Sequence, residues 1–286
     1  MGVVNQLTFL LGGSYLLKSI RGYKKNFSKF ILAPIFFLAT FVFFSERLVP
    51  HGQERGSSFP ESGLVTAVYD GDTIKVKFRN EKERKVRLIG IDTPEMEDSR
   101  EEAKFRAHMA RRFTFFYLYR KTVKLSFDWE IEDKYGRLLA YVWTEKQGLF
   151  NKFILSEGFA AVFLKFPFKY REEFIEAERK ARELEKGFWK KGPYPSISVQ
   201  DTRASLGKLL SVKYKCSRVQ AKGKFIFLYS SGEEFSTLIP RENISFFPDL
   251  KSFEGKALTV TGFLEEYKEK PQIVAFFPRQ IKIEKQ

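Results

Sequence analysis

Residues 64–69 and 73–78 alternate apolar and polar side chains about an Asp-Gly pair, and a period of two on both sides of such a pair commits the chain to a β-hairpin. The sequence predicts a two-residue turn at Asp70-Gly71. Residues 85–92 (K-V-R-L-I-G-I-D) read as a third strand, 122–129 as a fourth and 138–144 as a fifth, with the turn D-K-Y-G-R before the last. Residues 99–119 carry helical periodicity, and Ser99 with Glu102 has the spacing of a capping box. A short helix near 150–157 and a long charged one near 169–187 complete the unit. Five strands with helices packed around them describe a small Greek-key barrel of the OB type.

The pattern then recurs. Beyond a Gly- and Pro-broken stretch at 190–205, about five further strand-length runs follow from Leu209, among them S-V-K-Y-K-C, K-F-I-F-L-Y and A-L-T-V-T-G-F-L. The expected fold class is therefore mainly β with α (α+β). It has one barrel over 63–189, a linker over 190–205 and a second small OB-like β-barrel over 206–286. The first 45 residues differ in kind. Lys18, Arg21, Lys24, Lys25 and Lys29 precede the apolar run 30–44, and no acidic residue occurs before Glu46. Counted from Phe27, with Lys29 reaching back to the headgroups, the run is long enough for a thin bilayer span. A membrane anchor or signal helix is expected over 1–45, followed by a polar linker over 46–62. The basic flank would stay cytoplasmic and send the remainder across the membrane, or into the medium if the helix is cleaved.

Composition narrows the chemistry. One cysteine and two widely separated histidines exclude an internal disulfide, a cysteine-rich zinc site and a histidine-dominated metal site. Any metal here has oxygen ligands and is a hard cation such as calcium. The net charge of +15 is uneven. The first barrel region is nearly balanced, whereas the C-terminal third is the more basic for its size, so basicity alone does not make the first barrel a nucleic-acid binder.

Against that background D-G-D-T (70–73), R-L-I-G-I-D-T-P-E (87–95) and K-Y-G-R (134–137) are unusual. Asp72 follows a turn and Asp92 ends a strand, so both carboxylates can project from one barrel rim, where a hard cation would relieve their repulsion. Glu95 lies where it can hold a water beside that ion. Arg87 and Arg137 bring planar donors suited to a phosphate. Together these are a kit for attack on a phosphodiester. Asp70 is read as shaping the bend.

Those motifs, in that order on a five-strand pattern, resemble the staphylococcal (micrococcal) nuclease family, the thermonucleases, over roughly residues 65–189. The resemblance implies a calcium-dependent endonuclease (a hydrolase) acting on DNA and RNA with little sequence preference, with Ca2+ held by Asp72, Asp92 and the Thr93 carbonyl. It implies Glu95 as the residue orienting the attacking water, and Arg87 and Arg137 as the clamp on the phosphate. It places Lys134 and Tyr135 in the substrate groove. The family's two terminal-nucleotide tyrosines are replaced here by Leu164 and Phe166, of which Phe166 retains a stacking surface. A catalytically silent nucleic-acid-binding protein on the same fold is the alternative, disfavoured because all five charged positions are present.

The run V-T-G-F-L-E-E-Y-K-E-K-P-Q-I-V-A-F-F-P-R-Q-I-K-I (260–283) resembles the final strands of OB domains that bind nucleic acid. Lys213, Tyr214, Lys215, Lys224, Phe225, Phe227 and Tyr229 could line a groove, or the aromatics could be core and the lysines solvent face. Partners are nucleic acid and, through the N-terminal helix, a membrane; no protein partner is predicted. His108 and Cys216 are expected to pack, and 172–186 to be a solvated helix face with i,i+4 pairs.

Overall fold

A computed structural model of the chain describes residues 62–79 and 82–284. The expected membrane helix at 1–45 and the linker to residue 61 lie outside the described residues. Among the described residues no helix is long and apolar enough to cross a membrane.

Strands β1 (Ser62–Val68), β2 (Thr73–Phe78) and β3 (Glu83–Leu88) run antiparallel, and β4 (Ile91–Asp92) is a short spur. Helix α1 (Glu101–Leu118) then crosses to β5 (Thr122–Ser126) and β6 (Leu138–Thr144). Because β1 also pairs with β5, and β3 pairs in parallel with β6, the order β1-β2-β3-β6-β5-β1 closes a five-stranded barrel. Strand β7 (Gly148–Leu149) leads into α2 (Phe150–Ser156), β8 (Ala161–Val162) pairs with β4, and α3 (Arg171–Glu183) covers the outside. Alternation drives the closure: on β2, Ile74, Val76 and Phe78 are buried while Lys75 and Lys77 are only half-buried.

The second barrel repeats that order. Its strands are β9 (Ser196–Ser198), β10 (Leu209–Lys222), β11 (Phe225–Ser230), β12 (Ser236–Pro240), β13 (Ala257–Tyr267), β14 (Lys270–Val274) and β15 (Ile281–Ile283). The closed circuit is β10-β11-β12-β14-β13-β10, again with one parallel pair, β12 with β14. Strands β9 and β15 extend its edges. The position taken by α1 in the first barrel is filled here by 3-10 turns that bury Leu250 and Phe253.

The described residues form one compact unit. The seam is β13 against α1. Phe263 is buried among Phe113, Phe116 and Phe159, with ring centroids 5.7–5.8 Å away, and its N–H donates to Met109 Sδ at 3.2 Å. Arg112 forms an ion pair with the buried Glu265, whose carboxylate also accepts from Gln272 at 2.9 Å. Arg279 reaches back to Glu101 and Glu102. His108 stacks on Phe276 at 3.7 Å, the packing role expected of it. Cys216 is buried, and α3 carries i,i+4 pairs such as Arg182 with Glu178.

Three local expectations change. The third strand breaks at Gly90, whose φ of +74° and the Phe168 ring 2.7 Å from a hypothetical Cβ admit no side chain. The capping box does not form: α1 starts at Glu101 with Arg100 as N-cap, and Asp98 accepts the Arg100 N–H at 2.8 Å. The fourth strand stops at Ser126, because Asp128 is engaged across the chain by Tyr141 Oη at 2.6 Å and the Lys169 N–H at 2.9 Å.

Candidate active site

The loop joining β1 to β2 organises the site. Tyr69 N–H donates to the Thr73 carbonyl at 2.9 Å and Asp72 N–H to Asp70 Oδ1 at 3.1 Å, so three residues span the bend where two were expected. Gly71 is required by space and has no positive φ. A Cβ there would lie 2.6 Å from Thr93 Cγ2 and 2.7 Å from Ala110 Cβ. The Gly71 carbonyl accepts from the buried Thr114 hydroxyl on α1 at 2.6 Å. The bend is thereby pressed between α1 and residue 93, which sets Asp72 beside Asp92-Thr93.

Asp72 is 5% exposed and fully engaged. Its Oδ2 accepts the Thr93 N–H at 2.9 Å and the Thr93 hydroxyl at 2.8 Å, and its Oδ1 accepts from the Thr73 hydroxyl at 3.1 Å. The β2–β3 register sets Arg87 opposite Thr73, and the guanidinium bridges the two acids, pairing with Asp72 and reaching Asp92 Oδ1 at 3.2 Å. Two carboxylates and the arginine thus meet on one rim, with Asp92 half exposed there.

The neighbouring acids feel that crowding. Burial, and then the charge of Asp72, push the Asp70 carboxyl up to about 6. Glu95 is also raised, first by partial burial and then by the charges of Asp70 and Asp92, with Arg87 opposing. Four carboxylates, offset by Arg87 and, beside Asp70, by Arg111, leave an excess of negative charge on hard oxygen donors. That donor chemistry fits a divalent hard cation held by Asp72, Asp92 and the Thr93 carbonyl. Among the described residues no group of three or more His, Cys, Asp and Glu is arranged to hold a metal ion, so the main chain and water would complete the shell.

Arg137 is set by a separate device. Leu139 lies opposite Arg87 in the parallel β3–β6 pair, and Arg137 is two positions back on the same face. Asp133 accepts its Nε–H at 2.7 Å and its backbone N–H at 3.0 Å. Burial raises the Asp133 carboxyl, but the hydrogen bonds from Arg137 and Tyr135 outweigh it and hold the group below the usual range. Lys134 and Arg137 sit 5.0 and 5.5 Å from the ring of Tyr135, which is 70% exposed. On the other side Asp92 pairs with Ala161, and the chain continues past Gly90 to the exposed Leu164 and Phe166. Direct contacts join Asp72, Arg87, Asp92 and Thr93. Among the described residues no hydrogen bond or ion pair links Arg137, Lys134, Tyr135 or Phe166 to that group. A groove lined by Asp92, Thr93, Glu95, Arg100, Arg106 and Trp189 opens beside it.

One site residue, Thr93, has a further role the sequence did not suggest, and one site element, Asp133, was missed. Thr93 grips Asp72 through its amide and hydroxyl, beyond any use of its carbonyl. Asp133 fixes Arg137, and its signal was in plain view as the first residue of the D-K-Y-G-R turn.

Comparison with known proteins places residues 85–191 within the family model described as staphylococcal nuclease homologue. The chain is 38% identical over 126 residues to a thermonuclease of Staphylococcus hyicus, covering 44% of this chain and 73% of that protein. It is 39% identical over 132 residues to a thermonuclease of Staphylococcus intermedius, covering 46% and 77%. An endonuclease of Bacillus subtilis, YncB, is 32% identical over 128 residues, covering 44% of this chain and 60% of the relative. The second barrel lies beyond the family match.

Proposed function

Because the chain belongs to the staphylococcal nuclease family and is a hydrolytic nuclease, we propose that its first barrel cuts the phosphodiester backbone of DNA, and of RNA, with calcium bound at the acidic rim. The observation that carries this reading is the convergence of Asp72, Arg87 and Asp92 on one rim, with Glu95 in the same electrostatic cluster.

A calcium ion there would supply charge neutralisation for the phosphate and a site for water. Asp72, Asp92 and the Thr93 carbonyl would hold it. Arg87, which bridges Asp72 and Asp92, carries the donors for a phosphate oxygen. Arg137, aimed by Asp133, closes on the same group from the turn that leads into β6. Glu95, with its raised proton affinity, orients the attacking water and accepts its proton as the oxygen bonds to phosphorus and the 5′-oxygen leaves. Tyr135, Lys134 and Phe166 offer exposed contacts for the flanking nucleotides.

We further propose that residues 1–45 tether this nuclease with its barrels on the non-cytoplasmic side, a reading supported by the basic flank and apolar run in the sequence. Incubating the whole chain with plasmid and with RNA, with calcium or with a chelator, tests the chemistry. Cutting should need calcium and should fall about a hundredfold in Glu95→Gln; full activity in the chelator would end the metal reading. Protease added to intact cells should remove the barrels from a membrane fraction. Protection from it would reverse the topology.

A further inference from the structure

The second barrel turns aromatic rings outward where the first shows polar side chains. On β11, Ile226 and Leu228 are buried in the core, so the alternate residues Phe225, Phe227 and Tyr229 lie on the outer face, each half-buried. Phe227 and Tyr229 stack with centroids 5.4 Å apart and planes 11° apart, and Phe225 meets Phe227 edge-on at 6.4 Å. On β2, at the same place in the strand order, Thr73, Lys75 and Lys77 alternate with the core residues. Three consecutive outward aromatics are therefore not demanded by the barrel. Of the aromatics expected either to line a groove or to be core, Tyr214 is core and these three are not.

The ladder has a cationic frame. Across the β10–β11 register Tyr229 faces Arg218, Phe227 faces Gln220 and Phe225 faces Lys222, and all three partners are exposed. Residues 209–230 hold five basic side chains and no acidic one. Arg218 lies over the Tyr229 ring at 4.8 Å and is tied to Glu233, while Lys222 and Lys224 stand at the hairpin end.

We propose that this face binds single-stranded nucleic acid, with bases stacking on Phe225, Phe227 and Tyr229 and the phosphates following Arg218, Lys222 and Lys224. A polyanion complements a hairpin without acids, and flat rings in a row recognise the exposed faces of unpaired bases, which a duplex hides. The strand-2 side of a five-stranded OB-type barrel is also open enough to carry an extended chain. The proposal goes beyond the cutting reaction and does not depend on the acidic rim being catalytic.

The test uses the full chain carrying Glu95→Gln, in chelator, so that binding is read without cleavage. Anisotropy of a labelled oligothymidylate of about 20 nucleotides, longer than a single such site, gives the affinity. Phe227→Ala should weaken it about tenfold. Lys222→Glu, at an exposed position that cannot disturb the core, should weaken it too and lower the salt slope by about one phosphate contact. With Glu95 restored and calcium added, both variants should cut a dinucleotide as the parent does. Parental affinity in both variants, or tighter binding of a duplex than of the single strand, overturns the proposal. So does loss of dinucleotide cutting in both, which would make the ladder structural. A parent that binds the oligonucleotide yet cuts nothing would instead count against the nuclease chemistry alone.

Discussion

The two barrels share a strand order and differ in what that order presents. In the first, the turn between strands one and two is D-G-D-T, packed down on α1 so that Asp72 meets Arg87 and Asp92. In the second, the same turn is Gly223-Lys224, exposed, with no acidic partner in the hairpin. The first barrel alternates Thr73, Lys75 and Lys77 with its core on its second strand; the second sets Phe225, Phe227 and Tyr229 there. Closure needs only alternation and one parallel pair. Rim and face chemistry are free to diverge, so one topology can be fitted for cutting and another copy for holding.

The seam offers the hardest way to break that contrast. Phe263→Ala should cost about 3–5 kcal/mol, because the ring fills space shared with Phe113, Phe116 and Phe159. Calorimetry should show one transition moved down; two separated transitions would mean that the barrels fold independently. Next comes Arg87→Ala, expected to lower plasmid cutting about a hundredfold, or about 3 kcal/mol. Lys224→Ala, at the corresponding turn of the second barrel, should leave dinucleotide cutting unchanged. Equal losses would erase the distinction between the two rims.

Asp133→Ala should reduce turnover about tenfold by loosening Arg137, with Asp133→Asn restoring part of it through the remaining acceptor oxygen. A KM effect without any change in turnover would remove Asp133 from positioning. His108 gives a smaller, pH-dependent signal at the seam. Its burial, and then Arg111, Arg112 and Lys104, lower its folded pKa from 6.5 to about 4. As pH falls the unfolded chain therefore takes the proton first. The stability it contributes is whole above about 6.5 and is lost towards about 4. His108→Phe should flatten that part of the denaturation profile, and an unchanged slope would assign it to the acids. Least of all, Arg179→Ala on α3 should leave the melting midpoint unmoved, since its pairs with Glu176 and Glu183 are on the solvent side.

Much of this was legible residue by residue. The alternation about 70–73 gave both strands, and the charged run 172–186 gave the solvated helix. Thr93 shows what was hidden: in sequence it is one residue between Asp92 and Pro94, and its grip on Asp72 exists only because Gly71 lets two loops touch. Ser99 failed as a cap because the helix starts two residues later, at Glu101, with Arg100 at the N-cap position.

Sequence by itself determined two five-stranded units, the order of the charged motifs and the oxygen-rich character of the site, because periodicity and side-chain type are local properties. Tertiary structure decided that Arg87 lies between Asp72 and Asp92, that β13 is sealed to α1, and that the rings of β11 point to solvent. Those follow from register and closure, which bring together residues far apart along the chain and choose which of two alternating faces the core will take.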